Sequence, residues 1–180
     1  MIIRTVREAD IDEMYANFMV AQVSRANAET KRQGFFEYKL DYAEFRKRAL
    51  QGLSVLMQSQ GKILAHVMAY PVSFAREHKG DAVFNRVAQF EDNTVYADQL
   101  CASPSLPLYV AGRLADSWEY LVRNEGFNKT VAVVSERPWL NGASFGFMVS
   151  RGFKPGQVVN SGDVTLRMMS KPYLDVGQQV

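Results

Sequence analysis

Residues 141–153, NGASFGFMVSRGF, govern how the rest of the chain is read. Asn141 has a side-chain oxygen suited to the free N–H groups of a first helical turn, so it opens a helix. Gly152 closes that helix, because glycine adopts a left-handed stop at little cost. Phe153 then starts a strand to Val159. A second strand, Asp163 to Met169, follows the turn signal Asn160-Ser161-Gly162. Just upstream, TVAVVS (130–135) is a continuous apolar run of buried-strand length, and Pro138 marks its exit.

Working outward, a long helix is expected from about Leu108 to Glu125, with Leu114, Trp118, Leu121 and Val122 on its inner side and Gly126 as its stop. Ser103-Pro104-Ser105-Leu106-Pro107 must leave the sheet before it, since proline donates no hydrogen bond. Thr94 to Ala102 is the preceding strand. A strand–helix–strand unit of this length makes 94–102 and 130–135 parallel neighbours.

The N-terminal half reads as an edge strand (Met1–Val6), then a helix capped by Asp10 and running to about Asn27. Ile11, Met14, Tyr15, Phe18 and Gln22 or Val23 form its apolar stripe. Gly34 interrupts. The aromatic cluster Phe35, Phe36 and Tyr38 suits a loop packed on the core or a pocket wall equally well. A second helix starts near Asp41, turns Phe45 and Ala49 inward and ends at Gly52. Its run Arg46-Lys47-Arg48 reads as a solvated face. Leu53–Gln58 and Lys62–Phe74 form a hairpin through Ser59-Gln60-Gly61, with Pro71 marking a bulge or edge position. The polar stretch 76–92 reads as an insertion with a short helix around Val83 to Phe90. The order is β-α-α-β-β-β-α-β-α-β-β: a single α/β domain over 1–180, with a mixed twisted sheet of about six or seven strands and helices on both faces.

Composition excludes several classes. The 180 residues are 47% hydrophobic and 22% charged, as in an ordinary globular domain. A net charge of +2 gives no broad field for nucleic acid, so no nucleic-acid partner is expected. One cysteine excludes an internal disulfide, and His66 and His78 show no metal-ligand spacing, so no metal is expected. No apolar run approaches the roughly 20 residues of a membrane span, and the N-terminus turns acidic too early for a secretory signal. A cytoplasmic protein is the expectation.

The spacing of Asn141, Ser144, Met148, Gly152 and Phe153, set in this element order, resembles the GCN5-related N-acetyltransferase (GNAT) family. YADQLCASP (96–104) is similar to that family's fourth strand. The resemblance implies acetyl transfer from acetyl-CoA to an amine acceptor by direct attack. In that fold strands four and five splay after a bulge, and the pantetheine pairs with the freed backbone. Here that backbone is Leu100, Cys101 and Ala102. The pyrophosphate is expected on the first turn of the following helix, at Val110, Ala111, Gly112 and Arg113, where free N–H groups favour an anion. Asn141 is expected at the coenzyme. The phosphate loop departs from the family's Q/R-x-x-G-x-G/A, with Pro107 and Val110 at the Arg/Gln and middle-glycine positions. Val110 threatens to crowd the phosphates, while Arg113 offers a compensating charge.

Met148 replaces the family's tyrosine and cannot donate a proton. Ser144 or Tyr109 is the expected substitute. Asp98 and Glu91 are the candidate bases. Simple alternation puts Tyr96, Asp98 and Leu100 on one face, and Val95, Ala97, Gln99 and Cys101 on the other. Cys101 reads as a buried small apolar residue rather than a nucleophile, and His66 as a satisfied sheet residue. Two rival readings stand: a GNAT-fold binding or structural module without turnover, and a transferase of longer acyl chains through an apolar slot near Phe145 and Phe147. A homodimer is compatible with either.

Overall fold

The computed structural model describes residues 1–21, 40–78, 81–103, 106–138 and 140–173. Seven strands form one mixed sheet in the order β1-β2-β3-β4-β5-β7-β6. They are β1 (Ile2–Thr5), β2 (Val55–Ser59), β3 (Lys62–Pro71), β4 (Thr94–Ala102), β5 (Lys129–Arg137), β6 (Lys154–Ser161) and β7 (Val164–Pro172). The helices among the described residues are α1 (Ile11–Val20), α2 (Tyr42–Ala49), α3 (Val72–Arg76), α4 (Ala82–Val87), α5 (Leu108–Asn124) and α6 (Gly142–Ser150). This is the expected mixed α/β architecture. β4 and β5 pair in parallel, and every other neighbouring pair is antiparallel.

Alternation along the strands builds a core on each face. Val55, Met57, Val67 and Val95 point toward α5 and meet Leu114, Trp118 and Val122. Leu56 and Met68 point the other way, onto Ile11, Met14 and Phe18 of α1 and Phe45 of α2. Trp118 is anchored by its indole N–H, which donates to the Leu53 carbonyl at 3.0 Å. Burying a side chain of this size stabilises by roughly 1.5–3 kcal/mol. A third cluster packs Tyr70, Tyr96 and Val131 under α3 and α4, and a fourth packs Val134, Phe153 and Met169 under α6. Thus α5 and α6 cover one face and α1–α4 the other.

Several local readings need correction. Asp10 does not cap α1 with its side chain. Its carboxylate takes two hydrogen bonds from the Arg4 guanidinium, both 2.7 Å, and one from the Arg7 N–H at 2.8 Å, closing a short 3-10 turn ahead of α1. The third strand stops at Pro71 rather than Phe74. Pro71 sits at the N-cap of α3, whose Val72, Phe74 and Ala75 are buried. The cluster Phe35, Phe36 and Tyr38 lies outside the described residues, as does the expected continuation of the first helix to Asn27. Asn141 caps as expected, accepting from the Ser144 N–H at 3.1 Å, and Asp41, near which the second helix was expected to start, accepts from the Glu44 N–H at 2.8 Å. Gly152 has φ +85°.

No helix among the described residues is long and apolar enough to cross a membrane.

Candidate active site

The parallel ladder between β4 and β5 runs from Thr94 and Lys129 to Ala97 and Ala132, and stops there. Both strands continue, β4 to Ala102 and β5 to Arg137. The backbone of 99–102 therefore keeps its β3 partners but has no ladder on the β5 side. The cause lies one strand away. Met68 pairs with Gln99 and Ala69 with Ala97, so the β3–β4 register skips Asp98. This extra residue is a β-bulge, which bends the strand and increases its local twist.

The bulge also reassigns the faces. Simple alternation placed Leu100 with Tyr96 and Asp98. Instead Leu100 and Ala102 pack with Val95 and Ala97 on the α5 side. Asp98 and Gln99 both turn to the α2 side: Asp98 meets Arg48, and Gln99 meets His66. Two consecutive side chains can share a face only where a residue is inserted.

A cavity of about 470 Å³ follows the gap through the sheet. Leu100, Ala102, Ala111, Ala115 and Trp118 line it on the α5 side. Ser144, Phe147 and Met148 of α6 line it beside β5, with the buried Asn141 at the N-cap. On the opposite face its wall is Arg48, Asp98, Tyr96, Phe84, Val133 and Leu166. One continuous slot thus joins the two faces of the sheet at the point where its strands part.

Of the residues read as coenzyme-binding, Leu100, Cys101, Ala102, Ala111 and Asn141 line this cavity, as do Asp98 and Ser144. Val110 does not. Its side chain is 2% exposed and packs beside Leu114 and Trp118, and its N–H already donates to the Pro107 carbonyl at 2.9 Å. It therefore does not crowd the slot. Gly112 and Arg113 are also off the wall: Arg113 is exposed, and nothing stands within 4 Å of where a Gly112 side chain would be. Tyr109 is 71% exposed, and Glu91 is exposed ahead of β4, so neither reaches the cavity. Phe145 packs against Val134 and Phe153, leaving Phe147 on the wall.

Asp98 is held firmly. Its Oδ2 accepts from Arg48 Nη1 at 3.1 Å and from the Tyr70 hydroxyl at 2.8 Å. Arg48 also donates from Nε to Glu44 at 2.8 Å, and its guanidinium lies 4.5 Å from the centre of the Phe84 ring. Arg48 is thus buried and not part of a solvated basic face. The signal was present: Arg48 follows Phe45 by three residues, so it shares the helix's inner side, and Glu44 stands one turn earlier as its partner. Arg151 and Glu119 are two further wall residues that sequence reasoning missed. Arg151 ends α6 and reaches Asp116 and Glu119 of α5 at 2.6 and 3.1 Å, which ties the two helices together.

Burial pushes the Cys101 thiol up to about 12, so it stays protonated at neutral pH. Burial pushes Tyr96 well above its ordinary value, with the nearby Asp98 charge adding to the effect. His66 is only half satisfied. Its Nε2 lies 3.3 Å from Gln99 Oε1, Nδ1 meets no partner among the described residues, and burial lowers the imidazole to about 4. Among the described residues no group of three or more His, Cys, Asp or Glu is placed to hold a metal ion.

A seven-stranded mixed sheet that opens between its parallel pair, with a helix at each side of the opening, is the GNAT fold. Several solved structures superpose on nearly the whole chain. The loading GNATL domain of CurA from Lyngbya majuscula aligns with TM-score 0.69 over 95% of this chain and 96% of that one, at 12% identity. The polyamine N-acetyltransferase of Drosophila melanogaster gives 0.64 over 95% and 99%, at 13% identity. The ribosomal-protein-alanine N-acetyltransferase of Brucella melitensis gives 0.62 over 96% and 99%, at 15% identity. No family model and no curated protein matches the sequence. The likeness is therefore one of fold.

Proposed function

We propose that this protein is an acyl-CoA-dependent N-acyltransferase that moves an acetyl group to an amine by direct attack. The observation that carries the reading is the end of the β4–β5 ladder at Ala97 and Ala132, which opens the slot. The pantetheine would lie along Leu100 to Ala102, with the pyrophosphate toward the first turn of α5 near Ala111. Anions are favoured at such a turn.

The amine nitrogen attacks the thioester carbonyl carbon, and the resulting oxyanion is stabilised by backbone N–H groups of the bulged strand. The C–S bond then breaks, the amide nitrogen gives up one proton and the coenzyme thiolate takes one. Asp98 is assigned as the carboxylate base that receives the ammonium proton on the acceptor side. Ser144 is assigned as the hydroxyl beside the leaving sulfur. A thiol with an ordinary pKa of about 8.5 is a tolerable leaving group even with weak acid assistance.

Calorimetric titration with acetyl-CoA, together with thiol release over a panel of amines, tests the reading. Heat of binding with release supports it, and absence of any binding refutes it. Met148 on the cavity wall favours one rival, a coenzyme-binding module without turnover. Binding with no release across the panel selects that rival.

A further inference from the structure

We infer that the acceptor is a primary amine carried on an apolar, ring-sized body, and that acceptors with a second cation are disfavoured. This rests on the transferase reading and specifies its substrate. The acceptor half of the cavity is walled by Val83, Phe84, Tyr96, Val133, Val164 and Leu166. Two of these come from the insertion between β3 and β4, which brings α4 over the slot. Phe84 and Tyr96 meet edge to face, with centroids 6.1 Å apart at 89°, and Tyr70 meets Tyr96 at 5.5 Å. Phe84 and Tyr96 thus give the cavity an aromatic stretch of wall against which a further ring can pack.

Among the described residues, the charged wall residues on this side are Arg48, Asp81 and Asp98. Asp98 already accepts from Arg48 and Tyr70. Asp81 Oδ1 accepts from the Val83 and Phe84 N–H groups, at 2.8 and 3.0 Å, as the cap of α4. Against the described wall, a second ammonium would exchange water for apolar surface, which is unfavourable. It would also approach the Arg48 guanidinium, a like charge. A ring instead displaces water from apolar surface, the usual source of small-molecule affinity. Repulsion of the wrong ligand and attraction of the right one thus act together.

The test is calorimetry of the full chain saturated with coenzyme A, titrated with phenylethylamine, putrescine and a tetrapeptide beginning with phenylalanine. The last separates a free amine from a peptide N-terminus as the source of the shared chemistry. The expected result is that one apolar amine binds at least about tenfold more tightly than putrescine. Phe84→Ala should weaken the apolar amine about fivefold or more, and weaken it more than putrescine. Leu166→Gln on the opposite wall gives an independent check if Phe84→Ala does not fold. Equal or tighter binding of putrescine, or no binding of any amine, overturns the inference. Thiol release is followed in parallel with acetyl-CoA. Preference for the apolar amine without release overturns the transferase reading alone, and release fastest with putrescine overturns this inference alone.

Discussion

Arg48 reaches from α2 to the bulge of β4 and donates to Asp98, Nη1 to Oδ2 at 3.1 Å, with the Asp98 side chain 2% exposed. A buried carboxylate needs its donors. Arg48→Met should destabilise the fold by about 3–5 kcal/mol, because it leaves the Asp98 charge facing one donor fewer in a low-dielectric site. The double variant Arg48→Met with Asp98→Leu should recover much of that loss. Urea denaturation of the two variants against the parent measures both.

The slot between β4 and β5 makes a separate prediction. Ala111 faces the cavity from the start of α5 and is 6% exposed. Ala111→Leu should place extra methyl groups in the slot and weaken coenzyme A binding by about tenfold or more, at a stability cost of about 1–3 kcal/mol. Calorimetric titration with coenzyme A, at a temperature where both proteins are folded, reads it directly.

Met148 lines the cavity where the family resemblance places a tyrosine. Met148→Tyr should introduce a phenolic donor beside the departing sulfur. Thiol release should rise, by up to about 10²-fold given the usual size of general-acid effects. The check is steady-state release with acetyl-CoA and the best amine, compared with Met148→Phe, which adds the ring without the hydroxyl and should not show the gain.

Cys101 is buried and its thiol is held near 12. Since the thiolate is the reactive form, the native protein should not react with a thiol-specific disulfide reagent at pH 7–8 on a timescale of minutes. In denaturant one equivalent should react at once. Stopped absorbance traces with and without urea give the comparison. Rapid reaction of the folded protein would show that Cys101 is accessible.

His66 links stability to pH. Its folded value of about 4 lies below the unfolded value of about 6.5. Between these values the unfolded chain binds the extra proton, so stability falls as pH drops from 6.5 toward 4 and is not penalised above 6.5. The full contribution is about 3 kcal/mol. Unfolding midpoints measured across pH 4–7 should fall less steeply in His66→Phe than in the parent.

Much of the framework was legible because its signals are local. Asn141 caps the helix expected of it, and Asp41 the helix expected to start near it, since a short polar side chain finds N–H groups only three residues away. Gln60 and Gly61 turn the β2–β3 hairpin with φ of 50° and 76°, and Thr94–Ala102 is the strand its alternation announces. The parallel pairing of β4 and β5 followed from the helix between them.

The site itself was decided by tertiary structure. A bulge is a mismatch between two strands, and nothing in DQLCA marks Asp98 as the residue that β3 skips. That one insertion moved Leu100 to the α5 face and brought Asp98 and Gln99 together on the other. Arg48 looked solvated within a basic run, yet its partner Asp98 stands 50 residues away in sequence, and only the packing of α2 on the sheet joins them. Val110 was read from its place in a loop motif, but the pitch of α5 turned it into the core. Local capping and turn chemistry act over three or four residues and can be read along the chain, whereas register, facing and charge pairing are relations between distant segments, settled only when both bury surface against each other.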